Sequence, residues 1–256
     1  VIEKVGIVGV GHLASYLVEG LRTADPNLEV LLSSYLSDHA ERLAVDFCAT
    51  ALPNNQSVAE KVDLVIVSTR PGDITAACEA ISFHADQLVV STAAGVCISD
   101  LEPVVSPATP IRAMPITCAA IGLSPTLLFP DEASARTLFE LLGSVHVFKN
   151  EDQFAAASVI TAYYGWVYEL LDVVVDWTAA AGVPPDKARA LVLETTRGAT
   201  EMGLNRPQES LADLLDSLAT PGGITRYGLE KIRDRNGFEA WLAALDAVAD
   251  KMKPVT

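Results

Sequence analysis

The stretch that most constrains this chain is Lys4-Val5-Gly6-Ile7-Val8-Gly9-Val10-Gly11-His12-Leu13-Ala14-Ser15-Tyr16-Leu17. It reads as a buried strand, a glycine turn and the first turn of a helix. Val5, Ile7 and Val8 make the strand apolar on both faces, the signature of a strand inside a covered parallel sheet. Gly9-Val10-Gly11-His12-Leu13-Ala14 then fits the dinucleotide fingerprint, with Ala14 at its last small position. Gly9 permits the tight turn, Gly11 lets backbone approach a pyrophosphate, and Ala14 keeps helix and strand close. His12, Leu13 and Ala14 open the helix, whose unpaired N–H groups and positive dipole end face an anion.

The pattern that follows alternates short apolar strands with helical stretches. Further strands are expected at 29–34, 63–68, 87–92, 110–114 and 145–148. Near-continuous Val/Ile/Leu runs separated by helices predict an α/β fold with a Rossmann-type parallel sheet over residues 1–150. Ligands of such sheets sit beyond the carboxyl ends of the strands. After Asn150 the reading becomes all-helical, and residues 151–256 form the second expected domain. One long helix is expected over 151–181, stopped by Gly182 and Pro184-Pro185. Further helices are expected at 186–203, 208–218, 223–235 and 238–251. Residues 155–168 are apolar around most of the helix circumference. That face is buried either within the helical bundle or against a second subunit, and a homodimer or higher homo-oligomer is the expectation adopted.

Half of the 256 residues are hydrophobic and only 20% are charged, so the chain is globular. A net charge of −15 excludes nucleic acid and anionic membrane surfaces as partners, because their phosphates would be repelled. Phosphate recognition must therefore come from local dipoles. Cys48, Cys78, Cys97 and Cys118 form no CxxC pair and read as reduced, buried thiols of a cytoplasmic protein. His12, His39, His84 and His146 lack ligand spacing, and no metal site is expected. No targeting segment is evident. The apolar run at 155–181 could span a bilayer by length, but Glu169, Asp172 and Asp176 interrupt it at helical spacing.

Five separated stretches resemble one family, the pyrroline-5-carboxylate reductases. They are Gly9-Val10-Gly11-His12-Leu13-Ala14, Ser68-Thr69-Arg70-Pro71-Gly72-Asp73, Ser91-Thr92-Ala93-Ala94-Gly95-Val96, Arg112-Ala113-Met114-Pro115 and Thr220-Pro221-Gly222-Gly223-Ile224-Thr225. The resemblance implies a Rossmann domain followed by a helical dimerisation domain, and reduction of a small cyclic imine by a nicotinamide cofactor. It places Ser68, Arg70, Pro71, Ala93, Ala94, Gly95, Met114 and Pro115 along that cofactor, with Asn55 near the adenosine ribose. For Asn55 a loop cap is an equal reading from the residues alone. The resemblance also places Thr220, Gly222, Gly223 and Ile224 around the substrate carboxylate, with Thr225 at the imine nitrogen. Chemistry agrees: Pro221 opens a helix, and the glycines bare its first N–H groups.

The departures cluster where substrate would bind. Ile116 stands where the family usually carries an amide. Ala162-Tyr163-Tyr164-Gly165-Trp166-Val167-Tyr168 aligns with a family segment of small residues, so Tyr164 and Trp166 are expected to line an altered pocket. Cofactor choice rests on Ser33-Ser34-Tyr35-Leu36, at the end of the second strand. No acid there would repel a 2′-phosphate and Ser33 and Ser34 can donate to one, so NADPH is expected, with NADH the alternative. A reductase of a different imine or carbonyl, or a non-catalytic nucleotide-binding protein, are the rival readings.

Overall fold

The computed structural model describes residues 2–35 and 38–252. Leu36, part of the cofactor-choice stretch, lies outside the described residues. Contacts divide the chain into two compact units, one of residues up to Val159 together with Met252, the other Ile160–Lys251.

The first unit is an eight-stranded sheet in the order β3-β2-β1-β4-β5-β6-β7-β8. Its strands are β1 (Lys4–Val8), β2 (Glu29–Ser33), β3 (Thr50–Leu52), β4 (Leu64–Val67), β5 (Leu88–Ser91), β6 (Thr109–Met114), β7 (Thr126–Phe129) and β8 (Val145–Val147). All neighbours are parallel except β6 and β7, which run antiparallel with Arg112 opposite Phe129. The helices of this unit are α1 (His12–Ala24), α2 (Asp38–Asp46), α3 (Asn55–Ala59), α4 (Ile74–Glu79), α5 (Ile98–Val105), α6 (Ala133–Glu140) and α7 (Glu151–Ser158).

Strand alternation sorts the side chains onto two covered faces. Val5 and Ile7 of β1, Leu64 and Ile66 of β4 and Val90 of β5 join the core beneath α1, α2 and α6. Val8, Val65, Val67 and Val89 join the opposite core, beneath α3, α4 and α5. Every one of these residues is fully buried. Two-sided burial explains why the strands read as continuous apolar runs. β3 and β7 escape the sequence reading. β3 is three residues long and only partly buried, while Thr126 in β7 is a buried hydroxyl that weakens the apolar signal.

The second unit contains α8 (Ile160–Ala180), α9 (Pro185–Asn205), α10 (Leu211–Leu218), α11 (Ile224–Arg233) and α12 (Gly237–Met252). The single helix expected over 151–181 is two helices, interrupted at Val159. The reason is packing: Phe154 of α7 is fully buried beside Met114 and Leu127 of the sheet, so α7 belongs with the first unit. α8 ends before Gly182, whose φ of +99° takes the backbone out of the helix, and Pro185 starts α9 where its missing N–H costs nothing. Among the described residues of this unit only Ala188 and Ala219 are buried. Most of its apolar side chains face outward in the single chain. No helix among the described residues is long and apolar enough to cross a membrane.

Candidate functional site

The strand order reverses at β1, with β2 on one side and β4 on the other, which makes a crevice at the carboxyl ends of β1 and β4. Gly9 turns there with φ +80°. A Cβ on Gly9 would stand 2.5 Å from Thr69 Cγ2 and 2.8 Å from the Thr69 nitrogen, so the turn itself excludes any side chain. Gly11 differs. Its φ is an ordinary −108°, and an added Cβ would meet nothing within 4 Å. The chain leaves open space at Gly11 that its own atoms do not need. Among the described residues the N–H groups of His12, Leu13 and Ala14 face no backbone acceptor, and Ser15 N–H is the first to return, to the Gly11 carbonyl at 3.2 Å. Ala14 is fully buried against the strand and Leu13 half-buried. His12 is exposed, with its ring edge-on to Tyr16 at 5.0 Å.

Beside this turn lies a cavity of about 640 Å³, lined among others by Gly9, Tyr35, Asn55, Thr69 and Asp73. Ser33, buried at the end of β2, donates its hydroxyl to Asn55 Oδ1 at 2.6 Å. Ser34 donates instead to the Leu52 carbonyl at 3.0 Å. The cap of α3 is Asn54, whose Oδ1 accepts from Ser57 N–H at 2.8 Å. Asn55 is thus released from capping and sits in the cavity wall. Thr69 Oγ1 is buried there with no hydrogen-bond partner among the described residues. An open cradle at Gly11 and an orphaned hydroxyl at Thr69 fit a bound dinucleotide, which supplies acceptors to both.

The remaining candidates of this unit follow strand ends. Ser68 N–H bonds to the Val8 carbonyl at 2.8 Å, and Arg70 is exposed ahead of the short 3₁₀ turn that begins at Pro71. Ala93 is buried, and Gly95 has φ +74° in the loop between β5 and α5. Met114 ends β6 and Pro115 follows it, both buried, while Ile116 N–H is held by Ser124 Oγ at 2.9 Å. Thr69, Tyr35, Asn54 and Asp73 were missed by the sequence reading. Thr69 belongs to one of the family-like stretches, but nothing in the sequence marks which of its residues faces inward.

In the second unit Thr220-Pro221-Gly222-Gly223 is a tight turn. Gly223 N–H donates to the Thr220 carbonyl at 2.9 Å, and Gly222 has φ +76°. Proline followed by a positive-φ glycine is the type II pattern. Gly223 then caps α11 without a side chain, leaving the N–H groups of Ile224, Thr225 and Arg226 without backbone acceptors among the described residues. Thr225 and Ile224 are exposed. Arg226 braces the turn from behind, donating from Nε to the Ala219 carbonyl at 3.0 Å. On α8, the Tyr164 hydroxyl lies 2.9 Å from that of Tyr168. Tyr163 and Trp166 meet Trp241 of α12 edge-on at 5.7 and 6.1 Å. The aromatic substitutions therefore form two small clusters on α8. Among the described residues no group of His, Cys, Asp or Glu side chains could hold a metal ion.

The switch-point crevice, the glycine turn and the cavity beside it define a Rossmann-class, dinucleotide-dependent oxidoreductase. Residues 4–95 match the family model described as NADP oxidoreductase coenzyme F420-dependent, and residues 151–254 match that of pyrroline-5-carboxylate reductase dimerisation. Pyrroline-5-carboxylate reductase from Pseudomonas aeruginosa is 26% identical over 97% of this chain and 95% of its own. The crystal structure of 1-pyrroline-5-carboxylate reductase from Streptococcus pyogenes superposes with a TM-score of 0.84, at 25% identity, over 98% of each chain. That of the Plasmodium falciparum pyrroline carboxylate reductase, with NADP bound, gives 0.86 at 22% identity, over 98% of this chain and 97% of its own. The chain is thus similar over nearly its whole length to pyrroline-5-carboxylate reductases, and its residues 151–254 carry their dimerisation domain.

Proposed function

We propose that this protein reduces the C=N bond of a small, carboxylate-bearing cyclic imine with NADPH, as a cytoplasmic homodimer. The observation that carries the reading is the bared start of α11. Three N–H groups and the Thr225 hydroxyl stand on a rigid turn, within the unit that matches the dimerisation model. A carboxylate is the anion such a helix end accepts. The relatives named as pyrroline-5-carboxylate reductases, and the NADP held by one neighbour, support the chemistry.

In this reading Gly9, Gly11 and the N–H groups of His12, Leu13 and Ala14 hold the pyrophosphate. Asn55, oriented by Ser33, takes the ribose, while Arg70 takes the 2′-phosphate, since Ser34 commits both its N–H and its hydroxyl to the Leu52 carbonyl. Ser68 and Pro71 shape that end, and Ala93, Ala94, Gly95, Met114 and Pro115 border the nicotinamide. NADPH, when bound, supplies the hydride that adds to the imine carbon. Thr220, Gly222, Gly223 and Ile224 form the carboxylate cradle, and Thr225 donates its hydroxyl hydrogen bond to the imine nitrogen. The nitrogen's proton comes from solvent, because the cradle holds no His or Lys.

A second reading, reduction of a bulkier imine by the same mechanism, is favoured by Tyr163, Tyr164 and Trp166 on α8. Large side chains there build an aromatic wall suited to a flatter, more apolar molecule, and a misplacement of about 1 Å costs on the order of a hundredfold in rate. Purified protein is assayed at the cofactor's absorbance with pyrroline-5-carboxylate and with bulkier cyclic imines, using NADPH and then NADH. Weak turnover of the first and faster turnover of the others is the result the second reading expects. A kcat/KM of roughly 10⁴ M⁻¹s⁻¹ or above for pyrroline-5-carboxylate removes the aromatic-wall reading. No turnover of any imine, with NADPH bound, leaves the non-catalytic nucleotide-binding reading.

A further inference from the structure

Arg112 is a cation buried in the middle of the sheet, only 3% exposed, and the cofactor-binding reading gives it no task. Its guanidinium meets Glu151 Oε1 at 2.8 Å and lies 4.5 Å above the ring centre of Phe154. The same Glu151 oxygen accepts the N–H of Ile98 at 2.9 Å. One carboxylate oxygen thus joins three elements: β6 through Arg112, the start of α5 through Ile98, and α7, of which Glu151 is the first residue. Asn150 fixes that first turn by accepting from Gln153 N–H at 2.9 Å.

What those elements carry makes the joint informative. The loop that ends at Ile98 contains Ala93, Ala94 and Gly95. The strand that holds Arg112 opposite Ser91 of β5 ends at Met114 and leads into Pro115. Met114 packs with Phe154, and Ala94 packs against the same cluster. In a sheet with its switch point at β1, a dinucleotide crosses from the β1–β2 side to the ends of β5 and β6. The adenosine end has its own cavity and its own hydrogen bonds, and Glu151 touches none of them. A buried ion pair is a poor source of stability, since apolar residues of similar volume hold a core as well. Its distinct property is direction, because two donors converge on one oxygen.

We propose that Glu151, acting through Arg112 and Ile98, is a positioning residue for the nicotinamide half of the cofactor. It sets the distance between the 93–97 loop and the Met114–Pro115 strand end. This rests on the reading of the first unit as an NADPH site.

The test measures the affinities of 2′,5′-ADP, which carries the adenosine half only, and of NADPH, together with the nicotinamide fluorescence of bound NADPH. Glu151→Ala is expected to bind 2′,5′-ADP as the wild type does, to bind NADPH at least about tenfold more weakly, and to lose the fluorescence enhancement. Glu151→Gln keeps an oxygen for both donors and is expected to recover most of the NADPH affinity. Should Glu151→Ala fail to fold because Arg112 is left charged and alone, Arg112→Met/Glu151→Leu removes the charge with the joint and carries the same expectation. Unchanged NADPH affinity and fluorescence in the folded variant overturns the proposal. Equal weakening of both ligands also overturns it, by showing a general structural role. Failure of the wild type to bind either ligand instead overturns the NADPH reading itself.

Discussion

Ser33 donates its hydroxyl to Asn55 Oδ1 at 2.6 Å, joining the end of β2 to the first residue of α3. The bond commits the amide oxygen and leaves the amide N–H groups of Asn55 for a ligand in the cavity it lines. Ser33 was expected to contact the cofactor directly. Only 2% exposed, it is instead the residue that orients Asn55. Asn55→Ala is therefore expected to weaken NADPH about tenfold, the size of one hydrogen bond to a bound ligand, and Ser33→Ala by a smaller factor. The double variant should be no weaker than Asn55→Ala alone. Calorimetric titration reads all three, and additive losses would show that the two act separately.

Gly9 and Gly11 are glycines for different reasons, and substitutions separate them. Gly9→Ala forces a side chain into φ +80° and onto Thr69, so it should destabilise the fold by about 1–3 kcal/mol or more. A Cβ at Gly11 meets nothing within 4 Å among the described residues, so Gly11→Val should leave the fold intact yet fill the space a pyrophosphate needs. Its circular dichroism should match wild type while NADPH affinity falls at least about a hundredfold. Wild-type affinity in Gly11→Val would remove this turn from the site.

Self-association is expected from the second unit. Val173 is 58% and Trp177 72% exposed on α8, in a unit whose described residues bury only two alanines. Monomeric proteins rarely leave so much contiguous apolar surface in water. Light scattering at micromolar concentration should give at least twice the 27.1 kDa chain mass. Val173→Glu/Trp177→Glu should shift the mass toward one chain, and a wild-type monomer would contradict the assembly.

The cysteines differ in reactivity. Burial raises the Cys78 thiol from 9.0 to about 11, whereas Cys48 is exposed. Alkylation of the native protein near neutral pH should modify Cys48 and spare Cys78 until the chain is unfolded. Between pH 9 and about 11 the unfolded thiol loses its proton while the folded one keeps it. Unfolding then releases a proton, so stability falls as pH rises, by about 3 kcal/mol in all. Denaturation curves of wild type and Cys78→Ala across that range measure it: the variant should lack this component.

Local sequence determined the parts whose physics is local. The two-sided apolar strands, the Gly9–Gly11 turn, the Pro221-Gly222 turn and the stop at Gly182 each follow from a residue's own backbone limits or from the periodicity of its neighbours. Tertiary structure decided whatever depends on a partner distant in sequence. β3 and β7 are strands because the sheet supplies their hydrogen bonds, not because their own side chains demand it. The helix expected over 151–181 breaks at Val159 because Phe154 is drawn into the core beside Met114, a contact no helical period encodes. Asn54 and Asn55 are chemically alike and adjacent, yet one caps α3 and the other meets Ser33, twenty-two positions back. The burial of Arg112 is of the same kind. A charge in a strand is intelligible only once Glu151, thirty-nine positions later, stands beside it.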